Sequence, residues 1–144
     1  MVRQMTDAEV RALLTADIPA YVATLDAHGL PHVTPLWFLW TGEELVMTST
    51  VGKPHLSRLA ADPRIGICVQ AEQPERADGQ RPNQQVRVVG QAAVEPDEDG
   101  EWTRRITKKY LVGPASAEHA AARAVQPRLA IRVPTDGRIS VASA

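Results

Sequence analysis

The sequence predicts an α+β domain built on an antiparallel barrel, and three observations carry that prediction. At least six short runs have β pattern, most of them joined by turn-forming residues. No helical segment separates the first three, which excludes a regular array of parallel strands with helical crossovers. The helical patterns fall near the start, after the third strand and before the last strands, as flanking elements. A chain of 144 residues with 44% hydrophobic and 23% charged side chains has enough apolar surface for one core, so residues 1–144 are expected to form a single domain.

The first helix is predicted over 7–16. Thr6 and Glu9 stand at the spacing where a hydroxyl and a carboxylate satisfy the free amides of a helix start, and Val10, Leu13 and Leu14 follow at helical spacing. Pro19 bars its extension. Runs 21–25 and 31–40 flank the turn Asp26-Ala27-His28-Gly29 and form a hairpin. In the second run the odd positions (Val33, Trp37, Leu39) and the even ones (Leu36, Phe38, Trp40) are both apolar. One face therefore lines a core, and the other needs a helix, a ligand or a second subunit to cover it. Residues 44–49 form the third strand, and Pro54 suits the first turn of a helix over 55–61. Runs 65–71 and 85–94 read as strands, the latter with Val86, Val88, Gly90, Ala92 and Val94 on one face. Helices are expected over 97–111 and 116–125, then a half-buried strand over 128–133 with 136–141 as its hairpin return.

Several function classes are disfavoured. Sixteen Lys and Arg against seventeen Asp and Glu leave a formal charge of −1, too balanced for a protein that coats nucleic acid. No apolar run approaches the about 20 residues of a membrane span. Asp7 and Glu9 stand where a signal peptide is apolar, so a cytoplasmic protein is expected. Cys68 has no partner for an intrachain disulfide and lies in an apolar run, where a thiol acts as buried filler. His28, His32, His55 and His119 have no short-spaced ligating partners, so no metal site is expected. No nucleophile turn of the Gly-x-Ser-x-Gly kind is present. The acidic run 95–101 reads as a solvated complement to a helix start.

The informative stretch is Thr48-Ser49-Thr50-Val51-Gly52-Lys53-Pro54-His55. Hydroxyls at a strand end, a lysine and the amides of a helix start together suit a phosphate, although the same hydroxyls suit an ordinary cap. The spacing is not that of a Walker loop.

Residues 21–38, then Met47-Thr48-Ser49-Thr50, then 59–65, together with 88–94 and Lys109-Tyr110-Leu111, resemble the pyridoxamine-phosphate-oxidase-like split-barrel family. More narrowly, the chain is similar to the flavin and deazaflavin oxidoreductases common in actinobacteria. The resemblance covers nearly the whole chain and implies an antiparallel split β-barrel with flanking helices. It also implies a homodimer whose cofactor lies in a groove at the subunit interface. Carried over by position, it places Pro35, Leu36 and Trp37 at the cofactor ring and Thr48, Ser49, Thr50 and Lys53 at its phosphate. His55 stands where relatives usually carry lysine, and Arg58 where asparagine is common; a mostly neutral imidazole weakens the phosphate seat unless Arg58 compensates. The family's barrel takes FMN, the deazaflavin coenzyme F420 or heme. F420 is preferred, because the alanine-, arginine- and valine-rich composition suggests a high-GC genome. The expected activity is hydride transfer between F420 and a small, planar, unsaturated substrate, with no catalytic side chain required. The alternatives are an FMN oxidase or reductase of the same fold and a non-catalytic flavin- or heme-binding module.

The polar connection 72–83 is long for a compact domain and is expected beside the cofactor groove, of this subunit or its partner. Arg76 and Arg81 are candidates to reach an anionic cofactor tail.

Overall fold

Two of the predicted strands break in the middle, and the breaks make the architecture. The structure, a computed structural model, describes residues 2–143. Its elements in order are β1 (Val2–Gln4), α1 (Asp7–Thr15), β2 (Ala20–Leu25), β3 (Pro31–Leu36), β4 (Leu39–Trp40), β5 (Glu44–Thr50), α2 (Pro54–Ala61), β6 (Arg64–Glu72) and β7 (Asn83–Gln91). Then come β8 (Ala93–Pro96), a single 3-10 turn (Glu98–Gly100), α3 (Glu101–Tyr110), α4 (Ser116–Ala124), β9 (Arg128–Pro134) and β10 (Ile139–Ser143).

A six-stranded sheet runs β1-β10-β7-β6-β2-β3 and a four-stranded one β4-β5-β9-β8, with antiparallel pairing throughout. The run predicted as one strand over 31–40 leaves the larger sheet at Trp37 and enters the smaller one at Leu39. The run 85–94 does the same at Ala92. At both corners the freed backbone amide finds a partner off the ladder: Phe38 N donates to the Tyr110 hydroxyl at 3.2 Å, and Ala92 N to Pro63 O at 2.8 Å. Val94, expected to continue the inward row of Val86 and Val88, is exposed because the corner turns the strand over. The chain crosses a third time after β9. Consequently β10 pairs with β7 and β1 and is not the hairpin return of β9. Strand β1 was not predicted; three exposed residues at a sheet edge carry no alternation.

Between the sheets lies one core, in which Leu14, Val22, Phe38, Leu45, Met47, Ile67, Val86, Val88 and Ile131 are buried. The predicted capping box forms at α1: the Thr6 hydroxyl accepts from Glu9 N at 3.2 Å, and Thr6 N donates to Glu9 Oε1 at 3.0 Å. The helix expected over 97–111 starts later, at Glu101, because Asp99 and Gly100 adopt left-handed conformations. Asp97 then caps α3, accepting from Trp102 N and Thr103 N, each at 3.0 Å.

Both tryptophans of the broken strand find cover within the chain. Trp37 stacks on Tyr110 with ring centroids 4.7 Å apart, and Arg123 lies 4.8 Å from its ring. Trp40 has Arg11 and Arg138 over it and donates from Nε1 to Thr135 Oγ1. The apolar surface left to water is instead the outer face of the larger sheet. Pairing aligns Val33, Ala23, Gly66 and Val89 in one row and Pro35, Tyr21, Cys68, Arg87 and Ile139 in the next. Val33 and Val89 are 64% and 81% exposed. Cys68 is therefore half-buried on this outer face and not core filler. Burial raises its thiol pKa, against a smaller opposing effect of Arg87, so the sulfur is not activated.

Candidate functional site

The end of β5, the turn after it and the first turn of α2 follow each other closely in sequence and line one wall of a groove. Its volume is about 640 Å³, within the usual range for small-molecule sites. All nine residues singled out from sequence line it: Pro35, Leu36, Trp37, Thr48, Ser49, Thr50, Lys53, His55 and Arg58. Sequence reasoning missed Thr34, Ile106, Arg123 and Arg128. The two arginines come from α4 and β9; the pairing of β9 with β5 sets Arg128 opposite Thr50, and the packing of α4 on α3 brings in Arg123.

Four cations, Lys53, Arg58, Arg123 and Arg128, thus share a groove lined by no carboxylate. Among the described residues none of the four forms an ion pair. Arg58 Nε donates to Thr24 Oγ1 at 2.8 Å, which fixes its stem and leaves both terminal nitrogens free of described protein acceptors. Arg128 is held by three bonds, from Nε to Thr48 Oγ1, from Nη1 to Thr50 Oγ1 and from Nη2 to Thr48 O. Arg123 Nη1 donates to Thr107 Oγ1 at 2.8 Å. Burial lowers the pKa of both Arg123 and Arg128 from its ordinary value. Arg123 adds to the effect at Arg128, and Asp97 offsets it. Guanidinium groups stay charged under such shifts, so the groove is electropositive.

His55 is buried and lies 2.6 Å from Ser49, Nε2 to Oγ. Burial, then the charges of Arg58 and Lys53, lower its pKa and keep it neutral at pH 7. Its part is to orient Ser49, while Arg58 and the two unforeseen arginines carry positive charge. Thr48 also changes role. Asp97 Oδ2 can only accept, so Thr103 Oγ1 spends its proton there at 2.6 Å. The 2.9 Å contact between Thr103 and Thr48 hydroxyls then has Thr48 as donor. Thr48 therefore presents only lone pairs to Arg128. It anchors that arginine.

The connection between β6 and β7 lies apart from this groove: no residue of 72–83 lines it. Gln73 N donates to Pro82 O and Arg76 N to Gln80 O, closing an extended hairpin tip. Arg76 pairs with Asp78 at 2.6 Å and Arg81 with Glu75 at 3.6 Å, so the loop's own carboxylates engage both arginines. Among the described residues no cluster of three potential metal ligands occurs, and no helix is long and apolar enough to cross a membrane.

The sequence profile of the pyridoxamine 5'-phosphate oxidase family matches residues 6–136. No curated protein matches the sequence significantly. Solved structures with the same fold include a conserved hypothetical protein from Mycobacterium tuberculosis, at TM-score 0.73 and 19% identity over 94% of this chain and 84% of that one. A FAD-binding protein from Mesorhizobium loti superposes at TM-score 0.67 with 23% identity, covering 100% of this chain and 98% of its own. A protein described as an F420 reductase does so at TM-score 0.61 with 22% identity, over 89% and 94% respectively.

Proposed function

The chain belongs to the pyridoxamine 5'-phosphate oxidase family, and from that premise we propose that it is an oxidoreductase whose groove holds a phosphate-bearing flavin or deazaflavin. The observation that carries this reading is the groove of four cations without a carboxylate, beside an apolar wall of Pro35, Leu36 and Trp37. Lys53, Arg58 and the first turn of α2 would take the phosphate, with Thr50 and Ser49 beside them. When bound, such a cofactor supplies hydride transfer at its ring. The side chains bind and orient it, and Trp37 keeps its place through Tyr110.

Between cofactors we favour F420, which one fold neighbour's description names, together with the composition noted above; FMN is the alternative. Fluorescence titration of cofactor-free protein with each is the test. F420 is expected to bind more tightly, and tighter FMN binding overturns the preference.

We also propose that the chain pairs with a second copy through the outer face of the larger sheet. Pro35 belongs both to that apolar face and to the groove wall, so a partner seated there borders the groove. Sedimentation at micromolar concentration is expected to show a dimer that Val33→Glu dissociates, and a wild-type monomer would sink the idea.

A further inference from the structure

We propose that Arg123, which lies against Trp37, and Arg128, which is held at the end of β5, form a second anion subsite in the groove, taking the carboxylate of a planar unsaturated substrate. This rests on the reading above, in which the phosphate is served by Lys53 and Arg58 from the turn after β5 and from α2.

The two guanidinium groups come from α4 and β9 and face the groove together. Like charges lining one partly buried cleft are costly unless an anion joins them, and no protein carboxylate lines the groove. Arg128 cannot swing away, because the chain Asp97, Thr103, Thr48 directs lone pairs at its Nε while Thr50 Oγ1 and Thr48 O hold both terminal nitrogens. Arg123 spends Nη1 on Thr107, and its Nε and Nη2 have no acceptor among the described residues. Its guanidinium lies over Trp37, whose other neighbour is the stacked Tyr110. Arg123, with Nε and Nη2 free in a groove walled by Pro35, Leu36 and Trp37, recognises a carboxylate that carries a flat apolar π system. A neutral substrate leaves those donors to water. A second phosphate of a dinucleotide cofactor has similar oxyanion chemistry and is separated by the test.

The probes are cinnamate and its neutral isostere cinnamamide, titrated by calorimetry into wild type, Arg123→Gln and Arg123→Lys, each with and without saturating FMN. Wild type is expected to bind cinnamate at least about tenfold more tightly than the amide, the equivalent of one charge-assisted contact. Arg123→Gln should bring cinnamate down to the amide's affinity, Arg123→Lys should retain part of the preference, and FMN affinity should change by less than about threefold. Equal binding of acid and amide by wild type, or undiminished cinnamate binding by Arg123→Gln, overturns the proposal. So does a loss of FAD relative to FMN affinity in Arg123→Gln that matches the loss for cinnamate, which assigns the arginine to a second cofactor phosphate. If wild type binds neither FMN nor F420, the cofactor reading fails by itself. The subsite is then judged on cofactor-free protein, where the same acid preference is expected and its absence is fatal.

Discussion

Trp37 and Tyr110 lie nearly parallel, 4° apart with centroids separated by 4.7 Å, and that stack ties the corner between the two sheets to the end of α3. The Tyr110 hydroxyl donates to Ile18 O at 2.8 Å and accepts from Phe38 N at 3.2 Å. Lys109 Nζ adds a 2.9 Å bond to Phe38 O. Because Trp37 lines the groove, these contacts set the position of its aromatic wall.

Tyr110→Phe keeps the stack and strands the Phe38 amide at a buried corner. An unsatisfied buried donor costs about 1–3 kcal/mol, which denaturant unfolding should detect. Tyr110→Leu should cost more, and Tyr110→Phe with wild-type stability would contradict the clamp.

Gly100 connects fold to site. A Cβ built there falls 2.5 Å from Ala124 Cβ and 2.9 Å from the Ala124 carbonyl oxygen, at a φ of +66°. Gly100→Ala is therefore expected to destabilise the protein by about 1–3 kcal/mol, through overpacking and left-handed strain, and to push α4 outward. As α4 carries Arg123, cinnamate binding should fall with it. A stable Gly100→Ala variant with unchanged binding would show that α4 moves freely.

The buried imidazole gives stability a pH dependence of known sign. His55 has its pKa lowered by burial and by Arg58 and Lys53, so below about pH 6.5 the unfolded chain takes up a proton that the folded one refuses. Stability is lost as pH falls from 6.5 toward the lowered folded value. The depressed carboxylates Glu9, Asp26, Asp62 and Asp78 act only further down, below their ordinary pKa values of 4.5 and 3.8. Thermal midpoints at pH 7.5 and 5.5 should differ for wild type and much less for His55→Gln, which keeps a donor near Ser49. Equal slopes for both would remove His55 as the cause.

The hydroxyl chain to Arg128 makes Thr103 a positioning residue. Thr103→Val removes the acceptor that turns the Thr48 proton away from Arg128, while Asp97 keeps its two backbone donors. Cinnamate affinity is expected to drop about threefold to tenfold, the effect of loosening one neutral hydrogen bond. Thr103→Ser should restore it. A Thr103→Ser variant as weak as Thr103→Val would point to lost methyl packing instead.

Local signals explain what could be read in the sequence. Thr6 and Glu9 mark the start of α1 because both partners of the capping box lie within one turn. The segment 48–58 gives most of one groove wall because its residues are neighbours in the chain. The corners at Phe38 and Ala92 leave no such mark. Apolar alternation runs straight through them, and the amides that leave the ladder are satisfied by Tyr110 and Pro63, far away or on another element. Arg123 and Arg128 were illegible for the same reason, since they reach the groove only through β5–β9 pairing and the packing of α4 on α3. That Arg76 and Arg81 are engaged within the hairpin tip 73–82 was not legible either, because unpaired charges and loop-internal pairs look alike in sequence.

The central claim is that Lys53 and Arg58 hold a phosphate in the groove. Its most direct test compares FMN with riboflavin, and F420 with its deazaflavin core lacking the phosphate, by equilibrium titration of wild type and Lys53→Ala/Arg58→Ala. The phosphorylated member of each pair that binds is expected to bind about a hundredfold more tightly to wild type, as two charge-assisted contacts imply, and most of that preference should vanish in the double variant. Equal affinity for phosphorylated and unphosphorylated forms in wild type would contradict it.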